Sequence, residues 1–258
     1  MKSLEAILAV GLMLCMSCSV KEDRMDCPCR LVLDLSANDT ALVSSAVLLV
    51  NASEGFVYTD VVEARDFDDE CVVLVPRGVV DVLLYSCDDG FVSVKEGLVI
   101  PYGEDCPEIY MQYLSVEANE EEVYIDVVLR KNYCSATICV ATEDDDFPYR
   151  LSLQGNVMGY GMDSRPTEGD FMYEFDLDSN LIGKVSLPRQ MDTSLKLEVS
   201  SGAEILKVFA LGEYIAAVGY DWTSDDLEDI TLTLDYSLTG ITISVGEWDE
   251  EYHFDISI

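Results

Sequence analysis

The alternation of apolar and polar residues is the feature that most limits what this chain can fold into. Leu195, Leu197 and Val199, for example, are separated by Lys196 and Glu198. The same period of two recurs in residues 31–35, 171–177, 230–236, 241–245 and 252–258. Successive side chains of a strand point to opposite faces, so this pattern is typical of antiparallel sheets with one wet face. Because Gly, Asp, Asn and Ser turns separate many short strands, the sequence predicts an all-β fold built from sandwiches.

Three local patterns predict how individual segments fold. The apolar runs 72–75 and 79–85 flank Pro76-Arg77-Gly78, which predicts a hairpin turn. The glycine-rich residues 155–161 lack the pattern of a phosphate-binding loop, and we expect a turn-rich sheet edge there. The one predicted helical segment is a single turn at 223–228, which Thr223 and the residues after it would cap.

The charge balance excludes a sequence-independent nucleic-acid binder and disfavours docking on anionic lipid. The 258 residues include 50 acidic and 15 basic side chains, so the formal net charge is −35. A sequence-independent nucleic-acid binder needs clustered Lys and Arg, and so does docking on anionic lipid through side chains. With 49% hydrophobic residues, the chain is also too apolar for a disordered acidic tail. The composition therefore favours a folded protein that repels its own copies and attracts basic partners.

The first residues predict the cellular compartment. Residues 6–16 form an uncharged apolar run, which is too short to span a bilayer and has the length of a signal-peptide core. The stretch from Leu14 to Cys18 is similar to a bacterial lipoprotein signal, which predicts cleavage before Cys18 and acyl chains such as palmitate on that cysteine. Plain secretion with cleavage nearby is the alternative. No later segment has the apolar length of a membrane span, so we expect attachment to the outer membrane by acyl chains.

A short charged stretch after the predicted lipidation site bears on display at the cell surface. Lys21, Glu22 and Asp23 are similar to the surface-export signal of lipoproteins in some gram-negative anaerobes. This likeness predicts a lipid-anchored protein on the outer face of the outer membrane, and a solvated charged tether is the alternative.

The chain is long enough for two domains. The strand pattern stops at Arg130-Lys131-Asn132 and resumes at Tyr133, so we place a boundary there. Each half is large enough for about seven strands. The predicted organisation is a signal peptide at 1–17, a lipidated tether at 18–28, and β-sandwiches at 29–131 and 132–258.

The sequence predicts no catalytic residue, metal site or cofactor. Nucleophilic catalysis needs a histidine near the nucleophile, and the single histidine, His253, lies on the polar face of the last strand. Asp176, Asp178 and Asn180 match the first positions of a calcium loop, but leucines replace the required Gly and Glu. Because 50 acidic residues offer many carboxylate pairs, no single pair indicates a glycosidase.

The cysteines permit disulfides in an oxidising compartment. Cys27-Pro28-Cys29 has one intervening residue where zinc sites use two to four, so we expect no zinc there. Cys27 or Cys29 is the predicted partner of Cys106, because both regions are Cys-Pro breaks at strand ends.

Several short motifs along the chain resemble one family. They are residues 18–24, 26–28, 31–35, 127–130, 138–140, 220–222, 229–236 and 245–248. In this order they are similar to FimB-type anchor and minor-subunit lipoproteins of the type V fimbriae of gram-negative anaerobes. The resemblance implies two tandem transthyretin-like (Ig-like) antiparallel β-sandwiches behind a lipoprotein signal peptide. It also implies a surface lipoprotein that anchors, terminates or tips a fimbrium by contact with fimbrial structural subunits.

The last predicted strand offers a means of such contact. Its apolar face consists of Tyr252, Phe254, Ile256 and Ile258. Subunits of the fimbriae that the chain resembles join by strand donation, in which ladder hydrogen bonds give affinity and alternate side chains enter pockets. The strand can instead complete its own sheet beside residues 241–245, across an intervening turn.

Two other classes of function stay open. One is a lipid-anchored binding module for a glycan or a host protein, with Trp222, Trp248 or the tyrosines as contact residues. The other is a hydrolase, against which the shortage of histidines weighs.

Overall fold

Strands make up most of the backbone in the computed structural model, which describes residues 27–87, 92–94, 97–142, 147–235, 240–245 and 252–255. The prediction of an all-β sandwich fold is confirmed. The strands are β1 (Cys29–Asp34), β2 (Ser45–Ala52), β3 (Val57–Glu63), β4 (Cys71–Val75), β5 (Val79–Cys87), β6 (Val92–Val94), β7 (Gly97–Val99), β8 (Ile109–Glu117), β9 (Glu122–Asp126), β10 (Arg130–Lys131), β11 (Tyr133–Ala141), β12 (Arg150–Gly161), β13 (Pro166–Phe175), β14 (Ile182–Pro188), β15 (Lys196–Ser201), β16 (Glu204–Phe209), β17 (Ile230–Asp235), β18 (Gly240–Val245) and β19 (Tyr252–Asp255). The helical segments of the described residues are α1 (Leu211–Ala217) and the 3₁₀ turns Ser53–Gly55 and Ala64–Asp66.

Two sheets pack together in the first half of the chain. One has the strand order β4-β1-β9, and the other has the order β10-β8-β5-β2-β3. The β1–β9 pair is parallel, whereas β1 pairs with β4 in the antiparallel sense. Alternate residues of both sheets, such as Leu31, Leu48 and Val82, are buried in one core. The period-two pattern of the sequence therefore marks the core of this half.

The second half has the same construction. Its sheets have the orders β14-β11-β17-β18-β19 and β16-β15-β12-β7-β6, and β13 pairs with the other side of β12. Ile138, Leu153 and Leu232 are buried in its core. β17 and β18 form an antiparallel pair in which Asp235 lies opposite Gly240, and the turn predicted between them lies outside the described residues.

One strand topology occurs twice along the chain. In the first half β4-β1-β9 packs with β8-β5-β2-β3, and in the second half β14-β11-β17 packs with β16-β15-β12-β13. The first strand of each set is parallel to the last, namely β1 to β9 and β11 to β17. The division of the chain at residue 131 stays a prediction.

One hairpin of the first half joins a sheet of the second half. β6 and β7 follow β5 in sequence, yet β7 pairs with Gly159–Gly161 at the end of β12. A Cβ atom at Gly159 would collide with the carbonyl oxygen of Leu98, so the close approach of β7 to β12 requires glycine. The second core therefore also contains first-half residues, namely Leu83, Tyr85, Leu98, Ile100, Cys106, Ile109 and Met111.

The predicted hairpin at Pro76-Arg77-Gly78 is wrong. β4 and β5 lie in different sheets, so this turn carries the chain across the sandwich. Arg77 fixes the turn from outside, because its Nε donates to the Cys27 carbonyl oxygen (3.0 Å). Gly78 then pairs through its backbone with Ala118 (N···O distances 3.4 and 2.7 Å), which extends the β5–β8 ladder.

The predictions for two other segments are also wrong. Residues 223–228 contain no helix, and the α-helix of the described residues is α1, where Leu211 and Ile215 are buried in the second core. Residues 155–161 are not a sheet edge, because they belong to β12, which pairs with β13 on one side and with β15 and β7 on the other. Two register irregularities between Gly155 and Gly159 let this glycine-rich stretch stay inside the sheet.

Candidate functional site at the junction of the two halves

Most residues that the sequence marks as functional lie outside the described ranges. These are Cys18, Lys21, Glu22, Asp23, Trp248, Ile256 and Ile258. Tyr252 and Phe254 belong to β19, whose backbone pairs with β18 of the same chain. Lipidation, surface export and strand donation therefore stay predictions.

The structure does not bring the predicted disulfide partners together. Cys29 is buried in the first core and Cys106 in the second, while Cys27 is exposed. All three are free thiols. Burial raises the pKa of the Cys29 and Cys106 thiols, which keeps both protonated at neutral pH. The structure thus gives no support to the predicted pairing.

Asn132 is the residue at which the chain passes from the first half to the second. Its backbone N–H donates to the Ile109 carbonyl oxygen (2.9 Å). Its side-chain Nδ2 donates to the carbonyl oxygens of Arg130 (3.0 Å) and Met111 (3.4 Å). The hydroxyl of the fully buried Tyr160 donates to the Asn132 carbonyl oxygen. The buried Asn132 side chain therefore has the hydrogen-bond partners that a buried polar group requires.

Arg189 connects the loop at residues 222–225 to the crossover, which is the passage of the chain between the two halves at Asn132. Its Nε donates to Asn132 Oδ1 (3.1 Å), and its Nη1 donates to the carbonyl oxygens of Trp222 (2.5 Å) and Ser224 (2.7 Å). Its Nη2 donates to the Asp225 carbonyl oxygen (3.3 Å). Arg189 thus ties the loop to the crossover through three carbonyl oxygens, and the predicted helical turn at residues 223–228 is absent from this loop.

Two aspartates of the same loop hold the crossover from another side. Asp226 accepts hydrogen bonds from Arg130 Nη1 (3.0 Å) and from the Lys131 backbone N–H (2.8 Å). Asp229 Oδ1 accepts from Lys131 Nζ (2.5 Å) and from the Ser135 backbone N–H (2.9 Å). These carboxylates therefore fix the loop to β10 and β11.

A half-buried carboxylate caps the edge of a sheet near the junction. Asp105 Oδ1 accepts hydrogen bonds from the backbone N–H groups of Ser186 (3.0 Å) and Cys106 (3.0 Å). Ser186 lies in β14, which ends its sheet among the described strands. Burial raises the pKa of Asp105 to about 6, the charge of Glu108 adds to the rise, and the two N–H donors oppose it. The Asp105 carboxyl group, which titrates just below neutral pH, thus caps the edge strand β14 at Ser186.

A groove of ≈ 660 Å³ opens beside Arg189. Its walls come from β8, the crossover, the β12–β13 turn, the segment after β14 and the loop at residues 222–225. Arg130, Arg165 and Arg189 line it together with Tyr113 and Trp222. We refer to it below as the junction groove. As contact residues the sequence singled out Trp222 and the tyrosines as a group, but not the groove, whose residues come together through contacts between distant segments.

The structure assigns the calcium-like sequence at residues 176–180 to a turn. Asp178 Oδ1 accepts hydrogen bonds from the backbone N–H groups of Asn180 (2.8 Å) and Ile182 (2.9 Å), and these donors lower the pKa of Asp178. Across the described ranges, no group of three or more His, Cys, Asp or Glu side chains is arranged to hold a metal ion.

Comparison with solved structures identifies the class of protein that has this fold. No protein-family model and no curated protein sequence matches the chain. The structural neighbours include fimbrial proteins and candidate adhesins, which are β-sandwich proteins.

Three neighbours match over most of their length. The fimbrial anchor protein Mfa2 from Porphyromonas gingivalis has a TM-score of 0.61 at 11% identity, over 86% of this chain and 98% of that chain. A candidate polysaccharide-binding protein from Bacteroides thetaiotaomicron has a TM-score of 0.63 at 14% identity, over 90% and 99%. A candidate adhesin from Bacteroides ovatus has a TM-score of 0.60 at 16% identity, over 91% and 98%. At the level of the fold, these matches confirm the resemblance to fimbrial anchor proteins.

None of the helices in the described ranges is long and apolar enough to cross a membrane.

Proposed function

We propose that this protein anchors, terminates or tips a fimbrium at the cell surface by binding fimbrial subunits. The observation that carries the proposal is the shared fold with a fimbrial anchor protein, which extends over 98% of that protein's chain. The match covers both halves, so the likeness is to the whole architecture and not to one sandwich.

The N-terminal sequence supports a place for the protein at the outer membrane. Lipidation at Cys18 would fix the protein to the membrane, because three acyl chains together bind far more strongly than the single chain that gives only reversible attachment. Lys21, Glu22 and Asp23 would direct the lipoprotein to the outer face. A fimbrium needs one end held by the cell, and a lipoprotein that also binds a subunit meets that need.

An exposed sheet edge supports contact with a subunit. Among the described strands, β16 pairs with β15 alone and so leaves one ladder open. It carries exposed aliphatic side chains at Ile205, Leu206 and Val208. Edge strands of this kind pair readily with an extended segment of another chain. A second means of contact is donation of the last strand to a subunit. Its apolar face consists of Tyr252, Phe254, Ile256 and Ile258.

We assign the protein no catalytic role. The polar side chains at the junction are engaged in holding the loop and the crossover together, as the contacts of Arg189, Asp226 and Asp229 indicate. The structural neighbours are fimbrial proteins and candidate adhesins, and no enzyme is among those compared above.

The test is a deletion strain that is complemented with wild type, C18A or C27A. We expect fimbriae to remain on cells with wild type, and to be shed into the medium with C18A, which loses its acyl chains. C27A is the matched control, because it removes an exposed cysteine nearby and should behave as wild type. Electron microscopy and fractionation give the two measurements. If the deletion strain keeps normal fimbriae on its surface, the proposal fails.

A further inference from the structure

The outer edge of β3 is a regular, open strand edge in the first half of the chain. Within the described strands, β3 ends the sheet β10-β8-β5-β2-β3 and pairs with β2 alone. The β2–β3 ladder runs through seven residue pairs, from Asn51 opposite Val57 to Ser45 opposite Glu63, without a register irregularity. A strand edge of this length is a template on which an extended segment of another chain can pair.

Alternate residues of β3 direct their backbone groups away from β2. The Ala52 N–H donates to the Phe56 carbonyl oxygen (3.0 Å), and the Ala64 N–H donates to the Ser44 carbonyl oxygen (2.9 Å). Because hydrogen-bonded pairs alternate along an antiparallel ladder, the even-numbered residues 58, 60 and 62 bond to β2 through their backbones. The odd-numbered residues 57, 59 and 61 therefore present their N–H and C=O groups to the open edge.

Two valines with outward-facing backbone groups also leave their side chains exposed. Val57 and Val61 are 67% and 54% exposed, whereas Val62, on the opposite face of β3, is buried in the first core. On the neighbouring strand β2, Val47 lies opposite Val61 and packs against the second core. The apolar outer face of this sheet thus continues from the second core to the open edge. A strand that adds to β3 would remove apolar surface of both exposed valines from water.

Asp60 closes one point of this edge. Its Oδ1 accepts a hydrogen bond from the Val61 N–H (2.8 Å), and its Oδ2 accepts one from the Tyr58 hydroxyl (2.8 Å). The outward N–H of Val61 is therefore held by a neighbouring side chain. When the carbonyl oxygen of an incoming strand takes over that N–H, the carboxylate loses a donor, and a cationic side chain of the partner can replace it.

The charge around the edge selects a basic partner. The strands β2, β3, β5 and β8 contain no Lys or Arg, and their acidic residues are Asp60, Glu63, Asp81 and Glu117. The nearby Arg65 is itself paired with Asp66 (N···O distance 3.6 Å). A second copy of this chain is a poor occupant, because pairing of β3 with β3 would bring the carboxylates of both copies together, and each copy has a formal charge of −35.

We propose that the edge of β3 binds an extended, basic segment of another protein, which adds to the sheet as an antiparallel strand. The backbone of the segment bonds to residues 57, 59 and 61, its apolar side chains lie beside Val57 and Val61, and a Lys or Arg opposite Asp60 pairs with the carboxylate. Residues opposite each other at this position form a non-hydrogen-bonded pair, in which side chains lie closest. The inference goes beyond the fimbrial role, because it depends on the edge of β3 and not on the likeness to an anchor protein.

The experiment measures binding of a capped heptapeptide of alternating Lys and Val to the purified full chain at about 0.15 M salt, where long-range attraction is screened. Two control peptides separate pattern from charge. The order Val-Lys-Lys-Val-Lys-Lys-Val keeps the composition but does not place the valines on one face of a strand, and alternating Glu and Val keeps the pattern but reverses the charge. We expect both controls to bind at least tenfold more weakly than the alternating Lys and Val peptide.

Two matched pairs of variants locate the contact. V61K and V79K add the same charge at exposed valines of one sheet, but Val79 is on β5, away from the edge. V61K should weaken binding at least tenfold, because it places a lysine among the lysines of the peptide, whereas V79K should change binding less than twofold. D60N should weaken binding about threefold, in keeping with one exposed ion pair, and D69N removes an exposed carboxylate outside β3 as its control.

Amide hydrogen exchange shows whether the peptide adds as a strand. The peptide should slow exchange of the N–H groups of residues 57, 59 and 61, whereas those of residues 58, 60 and 62 should change little, because they already bond to β2. No binding at millimolar concentration, equal binding of either control peptide, or equal effects of the two variants in each pair would overturn the proposal. Slowed exchange in β16 instead of β3 would also overturn it.

Discussion

Arg189 joins the crossover between the halves to the loop at residues 222–225, a role that no sequence pattern indicated. Its donors reach the crossover at Asn132 and the carbonyl oxygens of Trp222, Ser224 and Asp225. One planar cation with several fixed donors suits this task, because it can bind several carbonyl oxygens at once. Residues 223–226 have the composition of a helix cap, but they form part of the loop in which Arg189 binds the carbonyl oxygens of Ser224 and Asp225.

Asp105 should give the stability of the protein a pH dependence of unusual sign. Its pKa is about 6 in the folded protein against 3.8 for an exposed carboxyl group, so folding favours the protonated form. Stability from this group is therefore greatest below about pH 4 and declines as the pH rises to about 6. D105N keeps an acceptor for the Ser186 N–H and removes the buried charge. At pH 7 we expect D105N to be more stable than wild type by about 1–2 kcal/mol, allowing for partial exposure.

Urea unfolding at pH 4 and pH 7 measures this effect, and the difference between D105N and wild type should vanish at pH 4. Asp178 supplies a control of opposite sign, because N–H donors lower its pKa. D178N should be less stable than wild type at pH 7, and that difference should shrink as the pH falls below about 4. A D105N variant that is less stable than wild type at pH 7 would contradict the argument.

At the scale of elements, alternation in the sequence located strands but not their partners. The residues of β15 and β17 alternate strictly, and both were predicted as strands. The chain between β4 and β5 has the residues of a tight turn, yet the two strands lie in different sheets. Turn composition fixes a change of direction, whereas the sheet that each strand joins depends on which apolar faces pack together.

Local sequence patterns could not predict the helix α1 or the junction groove, and the reason is the same for both. α1 has no side-chain cap and forms because Leu211 and Ile215 pack into the second core. The groove brings Arg130, Arg165 and Arg189 together from three separate segments. Neither feature has a spacing that a single sequence reveals, since both depend on contacts between residues far apart in the chain.

The last strand, β19, is expected to contribute to the stability of the fold. β19 is paired with β18 of its own chain, with Tyr252 opposite Ile243 and Phe254 opposite Ile241. Deletion of residues 250–258 should therefore lower the thermal midpoint by at least a few degrees, because β18 loses a strand partner. H253T is the control, because it keeps the backbone of β19 and should melt as wild type. A truncated protein that melts as wild type but no longer holds fimbriae on cells would instead support strand donation.

At the scale of the whole molecule, the repeated topology conceals an unequal division of the core. The first core consists of residues from 29 to 129 alone. The second core takes six large side chains from the first half, namely Leu83, Tyr85, Leu98, Ile100, Ile109 and Met111. Burial of one such side chain contributes roughly 1.5–3 kcal/mol, so together they contribute on the order of 10 kcal/mol. That is comparable to the total stability of a domain.

The two halves should therefore differ in their ability to fold alone. A fragment of residues 27–131 keeps its own core and should melt cooperatively, although it exposes the apolar residues of its outer face. A fragment of residues 132–258 lacks those residues and the β7 partner of β12, so we expect no cooperative transition by circular dichroism. Co-expression of the two fragments is the control, and it should restore a folded complex because the missing contacts are then supplied in trans. If residues 132–258 melt cooperatively alone, the second sandwich folds independently, and the shared core is a contact between finished domains instead of a condition for folding.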